Sequence, residues 1–169
     1  MNNTAEPIPI RPATDADRES IWALLRPVFE EGETYPIPKD TSKEDCLKYW
    51  FADGNDVFVA IDDDGMPVGT YYLKKNQGGG GAHIANCGYV TATWATGKGI
   101  ARRMCSHSMT TAKAQGYRAM QFNFVISTNE RAVKLWQSQG FEIVGTIPEG
   151  FLHPKAGYVD AYIMHKHLA

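Results

Sequence analysis

Seven residues, Gly97-Lys98-Gly99-Ile100-Ala101-Arg102-Arg103, constrain this chain more than any other segment. They follow an extended stretch, His83 to Thr93, and open an amphipathic segment with Ile100, Met104, Cys105 and Ala112 on one face. Glycines between a strand and a helix let the backbone turn tightly, so that consecutive amides point into one cavity. The unpaired N–H groups and the positive helix end then make an anion site, to which Lys98, Arg102 and Arg103 add charge. The expected ligand is a phosphorylated cofactor.

Two familiar phosphate loops do not fit. A Walker loop requires Gly-Lys-Ser/Thr after an earlier glycine, whereas Gly97-Lys98 is followed by Gly99. A dinucleotide fingerprint would need glycine at position 102, which is Arg102. A net charge of −2 argues against a nucleic-acid partner, because no basic excess exists to neutralise phosphates. No run approaches the apolar length of a membrane span, and Met1 to Pro7 lacks the charge and apolar core of a signal peptide. Cys46, Cys87 and Cys105 are odd in number and lack metal-ligand spacing, which favours reduced thiols, a cytoplasmic location and no bound metal.

The chain is expected to form one domain over residues 8–168 behind a tail at 1–7, with 43% hydrophobic residues to build a core. Ile8 to Arg11 reads as a strand, followed by a capping-box signal, Thr14-x-x-Asp17, and a helix burying Ile21, Leu24, Leu25 and Val28. Pro27 bends that helix or tightens its end, and Thr34 to Pro38 is an extended loop. A second helix starts near Ser42. Val57 to Ile61 and Pro67 to Lys74 form a hairpin around Asp62-Asp63-Asp64-Gly65, a solvated turn rather than a metal site. Gly78 to Gly81 is a flexible connection to the fourth strand. Beyond the glycine-loop helix come a strand at Ala119 to Ile126, a helix capped by Asn129 and ended by Gly140, and strands at Phe141 to Thr146 and Tyr158 to His165.

Thr96-Gly97-Lys98-Gly99-Ile100-Ala101 resembles the Q/R-x-x-G-x-G/A loop with which GCN5-related N-acetyltransferases (GNAT) grip the pyrophosphate of acetyl-CoA. Asn129 to Phe141 is similar to that family's N-x-x-A-x-x-L-Y/W-x-x-x-G-F segment, and the two motifs fall in the family's order. The resemblance implies an α/β acetyltransferase fold: a twisted mixed sheet splayed between strands 4 and 5, with helices on both faces. It also implies an acetyl-CoA-dependent enzyme without a metal, in which an amine attacks the thioester directly in a ternary complex. Cofactor contacts carry over to Tyr89, Val90 and Thr91 in the fourth strand, to Thr96, Gly97, Lys98, Gly99, Ile100, Ala101 and Arg102, and to Asn129 and Trp136. The sequence departs from the family pattern at Thr96, where Arg or Gln is usual, and at Thr93, where proline is usual. It departs again at Trp136, which replaces a tyrosine that many members use as general acid.

The acceptor side is marked by Asn86 and Asn123, because asparagine is disfavoured in strands and a buried amide must be hydrogen-bonded. Two amides on neighbouring strands suit the carboxylate or carbonyl of a small amino acid; alternatively, each patches a backbone defect at the splay. The spacing of Asn86, Asn123 and Asn129 is similar to a branch that acetylates amino acids and proline analogues. There the first two asparagines orient the acceptor and the third contacts CoA. Glu33 and Tyr35 lie in the loop that closes over the acceptor in this family, and Tyr35 is taken as a substrate contact. The catalytic candidates are Asn123 and Tyr158, with Tyr162 or water as alternative proton donors. His83 and His153 read as surface or loop residues rather than bases. The acceptor is expected to be a small-molecule amine, and a homodimer is compatible with this reading. The competing readings are acetylation of protein N-termini or lysines, and a catalytically inactive acyl-CoA-binding sensor.

Overall fold

The computed structural model describes residues 8–169, so the expected tail at 1–7 lies outside the described residues. Strand and helix order follows the expected pattern: β1 (Ile10–Pro12), α1 (Arg18–Glu31), α2 (Lys43–Trp50), β2 (Asp56–Ile61), β3 (Pro67–Lys75), β4 (Ile84–Thr91), α3 (Ile100–Ala114), β5 (Ala119–Ile126), α4 (Glu130–Ser138), β6 (Glu142–His153) and β7 (Gly157–His167). The strands form one sheet in the order β1-β2-β3-β4-β5-β7-β6. Every neighbouring pair is antiparallel except β4 and β5.

Alternation along β3 assigns the helices to opposite faces. Thr70 and Tyr72 face α2: the Trp50 indole N–H donates to Thr70 Oγ1 at 3.1 Å, and the Trp50 and Tyr72 rings lie 4.9 Å apart. Gly69 and Tyr71 face α3, where a Cβ on Gly69 would meet Met104 at 2.9 Å and the Tyr71 hydroxyl bonds His107 Nδ1 at 2.7 Å. Ile100, Met104, Cys105, Ser108 and Ala112 form the buried stripe of α3. In α1 the buried set is Ile21, Leu24, Leu25 and Phe29; Val28 is only partly covered. Pro27 sits within that helix, which runs on to a left-handed Gly32. The Thr14–Asp17 capping box is present and leads through a short 3-10 turn into α1. Ser42 caps α2, accepting from the Asp45 amide at 3.1 Å.

The acidic turn forms as expected: the Asp62 carboxylate accepts from the amides of Asp64 and Met66, and the Gly65 amide donates to the Asp62 carbonyl. Two later segments differ from the sequence reading. Gly79–Gly81 form a short 3-10 turn. The stretch from Pro148 to Pro154, expected as loop, is mostly β6, which continues to His153 in a long hairpin with β7. Pro148 is tolerated because β6 is the sheet edge and its register shifts between Ile147 and Phe151. Glu149 takes a positive φ of 50° there, and its amide donates to Asp160 Oδ1 at 2.9 Å.

The Trp50–Thr70 contact joins α2 to the sheet, because the Thr70 hydroxyl passes its own proton to the Phe58 carbonyl at 2.8 Å. Thr70→Val is expected to strand the buried indole N–H and cost about 1–3 kcal/mol. Denaturant unfolding should show that loss, and Thr70→Ser should restore most of it.

Candidate active site

The site arises where β4 and β5 separate. They pair in parallel only at Ile84↔Ala119 and Ala85↔Met120, after which β4 stays paired with β3 but has no strand on its β5 side. The Ala92 amide donates to Val68 at 2.8 Å, and Asn76 donates to the Ile84 carbonyl, so even-numbered β4 positions address β3. By the two-residue period, the N–H and C=O groups of Cys87, Tyr89 and Thr91 point into the gap. On the far side β5 is also interrupted, since its register with β7 shifts between Phe122 and Val125, around Asn123 and Phe124. The gap opens into a cavity of about 850 Å³.

One end of the cavity is the glycine loop. A 3-10 turn at Thr93–Ala95 follows β4, and the Thr96 hydroxyl fastens it by donating to the Thr93 carbonyl at 3.1 Å. Gly97 and Gly99 have φ of 87° and 76°, left-handed values that a side chain would resist. The amides of Ile100, Ala101 and Arg102 lie in the first turn of α3, where no intrahelical partner exists, and no side chain caps them. Positive charge comes from Arg102, whose Nη2 donates to Ser138 Oγ at 3.0 Å, and from Arg131 and Lys134 on α4. Lys98, in the same loop, is exposed and is not among the residues that line the cavity. Arg131 and Lys134 were missed because only the fold brings α4 beside the loop. Asn129 starts α4 by accepting from the Ala132 amide at 3.4 Å, and it lines the same cavity.

In the middle, Tyr89, Val90, Thr91 and Trp136 form the walls. Trp136 is buried against the rings of Tyr89 at 5.0 Å and Phe122 at 5.2 Å, so it acts as packing. The Tyr89 hydroxyl is engaged with Ser108 Oγ at 2.7 Å on the α3 face. Burial pushes the Cys87 and Cys105 thiols up to about 12, and raises Cys46 as well, so none is a thiolate near neutral pH. Among the described residues no group of three or more His, Cys, Asp or Glu could hold a metal.

The other end is aromatic and amide-lined. The Tyr35 hydroxyl donates to the Tyr89 carbonyl at 3.0 Å, pinning the α1–α2 loop over the gap. Burial raises the Tyr35 and Tyr72 phenols well above their ordinary range, so both keep their protons. Gly88 admits the Tyr72 ring, which a Cβ there would meet at 2.6 Å. Asn86 is buried, and its Nδ2 donates to the Gln121 carbonyl at 2.8 Å, so it does patch the backbone at the splay. Asn123 is exposed to the cavity rather than buried, accepting from Gln121 at 3.0 Å and donating to Asn76 at 2.6 Å. Both asparagines line the cavity.

Other candidates stand apart. Tyr158 is 67% exposed in the β6–β7 hairpin and Tyr162 packs against the core; neither lines the cavity. His153 is buried, not a surface group: its Nδ1 accepts from the amides of Lys155 and Ala156, both at 3.1 Å, closing the hairpin turn. Glu33 pairs with Lys155, which holds its carboxyl below the usual range and ties the hairpin to the α1–α2 loop. No helix among the described residues is long and apolar enough to cross a membrane.

A parted β4–β5 pair with a helix-start anion site at one end is the arrangement of an acyl-CoA-type transferase fold, and the comparisons agree. The model of the acetyltransferase (GNAT) family matches residues 19–141. N-acetyltransferase aca1 of Schizosaccharomyces pombe is 29% identical over 155 residues, covering 82% of this chain and 74% of that protein. The structure of a GCN5-related N-acetyltransferase from Kribbella flavida is 38% identical with a TM-score of 0.90, covering 96% of this chain and 98% of that one. A phosphinothricin acetyltransferase from Sinorhizobium meliloti, solved in complex with AcCoA, shares the fold at 21% identity and a TM-score of 0.83, over 96% of this chain and 89% of that one. The chain belongs to the GNAT acetyltransferase family and is an acyltransferase.

The redistribution of charge from Lys98 to α4 is open to a direct check. Arg131→Ala is expected to lower affinity for inorganic pyrophosphate several-fold in calorimetry at low salt, and Lys98→Ala to leave it within twofold.

Proposed function

We propose that this enzyme transfers an acetyl group from acetyl-CoA to the amino group of a small molecule, an amino acid or analogue, within a ternary complex. The reading rests on one observation: a single cavity joins an anion-binding helix start, an unpaired strand edge and a wall carrying two asparagine amides. The catalytic unit is taken as one domain over 8–168. Its three free, buried cysteines suit the reducing cytoplasm.

The residues fit the cofactor. The amides at Gly97 and from Gly99 to Arg102, with Arg102, Arg131 and Lys134, would hold its phosphates. The gap-facing groups of Tyr89 and Thr91 would pair with the amides of its pantetheine arm, as a third strand would. When bound, acetyl-CoA supplies an acyl thioester, electrophilic enough for an amine to attack without a protein nucleophile.

What the chain itself contributes is positioning and polarity. A β4 N–H aimed into the gap stabilises negative charge that develops beside it, and a fixed backbone dipole needs no reorganisation to do so. Asn86 and Asn123 orient the acceptor, and Tyr35 holds the loop over it through the Tyr89 carbonyl. Trp136 cannot donate a phenolic proton, so proton transfer falls to water in the open cavity rather than to the position used by many family members.

Gly99→Val is expected to abolish acetyl-CoA binding in calorimetry. A Cβ at Gly99 meets nothing within 4 Å, so the fold should persist at a backbone cost of about 1–2 kcal/mol. Unchanged affinity would remove the loop from the cofactor site.

Asn123→Ala is expected to lower kcat/KM for amino-acid acceptors by roughly ten- to a hundredfold while acetyl-CoA affinity stays near normal. Combined with Asn86→Ala, it should lose less than the sum of the single effects, because both amides serve one ligand. Strict additivity would show that they do not share a substrate, and preferential acetylation of peptides over free amino acids would favour a protein acceptor.

A further inference from the structure

β3 carries a cation into the acceptor end of the cavity. Lys74 pairs with Asn86 across the β3–β4 ladder, so the two share a face with Tyr72 and Gly88. Its side chain is half-buried and lines the cavity, with Nζ 5.6 Å from the centre of the Tyr72 ring. Among the described residues no carboxylate forms an ion pair with it, although most ion pairs elsewhere tie neighbouring surface elements together. Glu31 also borders the cavity, at the exposed end of α1, and is not paired with Lys74.

The cavity therefore holds two separate sets of positive charge. Arg102, Arg131 and Lys134 stand at the glycine loop, where the phosphates belong. Lys74 stands alone at the opposite end, beside Asn86 and Asn123, whose Nδ2 groups each keep a second N–H beyond the one given to Gln121 or Asn76. A cation held over an aromatic ring and partly removed from water is completed by an anion, and here the surrounding donors suit a planar one. A solvated lysine on a strand edge would need no such setting.

We propose that Lys74 receives the carboxylate of the acceptor, making it the residue that selects free amino acids over their neutral amides. This rests on the amino-acid reading of the site. Asn86 and Asn123 would complete the carboxylate's hydrogen bonds, and the amino group, one carbon away, is then held near the gap. Lys74 is a specificity residue in this scheme and takes no part in bond making.

The test measures CoA release from acetyl-CoA with a panel of free α-amino acids and the matching carboxamides. Wild-type enzyme is expected to prefer acids over carboxamides by at least tenfold in kcat/KM. Lys74→Met should lower kcat/KM for the acids by ten- to a hundredfold, mainly through KM, and leave the carboxamides and the KM for acetyl-CoA unchanged. Lys74→Arg should keep most of the preference. Equal loss on acids and carboxamides, or no loss on acids, overturns the role of Lys74 while leaving the amino-acid reading intact. Wild-type enzyme that acetylates no member of either panel overturns the amino-acid reading and the assignment of Lys74 together.

Discussion

Backbone amides and carbonyls inside a protein must find partners, and an unpartnered one costs about 1–3 kcal/mol. β4 breaks this expectation along half its length. It leaves β5 after two residue pairs, and its odd-numbered groups face a gap instead of a strand. Much of the surrounding structure can be understood as making that gap tolerable. The gap is a solvent-accessible cavity, so water can reach the edge. Asn86 reaches across to the Gln121 carbonyl that β4 no longer serves, and Tyr35 caps the Tyr89 carbonyl from the α1–α2 loop. Tyr89, Phe122 and Trp136 form an aromatic wedge that keeps the two strands apart on the α3 face.

The same parting organises the chemistry. A strand edge can pair with the amides of an extended ligand through main-chain hydrogen bonds, and in the proposed site the glycine loop at its end would take phosphate on unpaired helix-start amides. Both are backbone devices, which explains how Thr96 can stand where the family usually has Arg or Gln. Its hydroxyl serves the turn, and Arg131 and Lys134 of α4 line the cavity beside the loop. Side chains matter more at the proposed acceptor end, where Tyr35, Tyr72, Asn86, Asn123 and Lys74 give the cavity its shape and polarity.

Local signals in the sequence were legible in proportion to how local their physics is. Caps at Ser42 and Asn129, the Thr14–Asp17 box and the Asp62–Gly65 turn depend on bonds between residues a few positions apart, and each is present. The strand order and the glycine loop followed from spacing and from the resemblance to the family. What escaped were features that only the fold creates. Lys98 sits in the motif yet faces solvent, while Arg131 and Lys134 reach the loop from a helix thirty residues on. His153 looked like a loop residue because Pro148 hid a bulged edge strand. Tyr158 shared a plausible strand with the site but not its face. Lys74 has no sequence signature, being defined by its register opposite Asn86.

Amide hydrogen exchange at Tyr89 and Thr91, with and without acetyl-CoA, tests the central claim most directly. These groups should exchange quickly in the free protein, in contrast to the β3-facing amides of Gly88 and Val90, and become strongly protected when acetyl-CoA is added. Fast exchange that acetyl-CoA leaves unchanged, or full protection already in its absence, would contradict an open strand edge as the cofactor's seat.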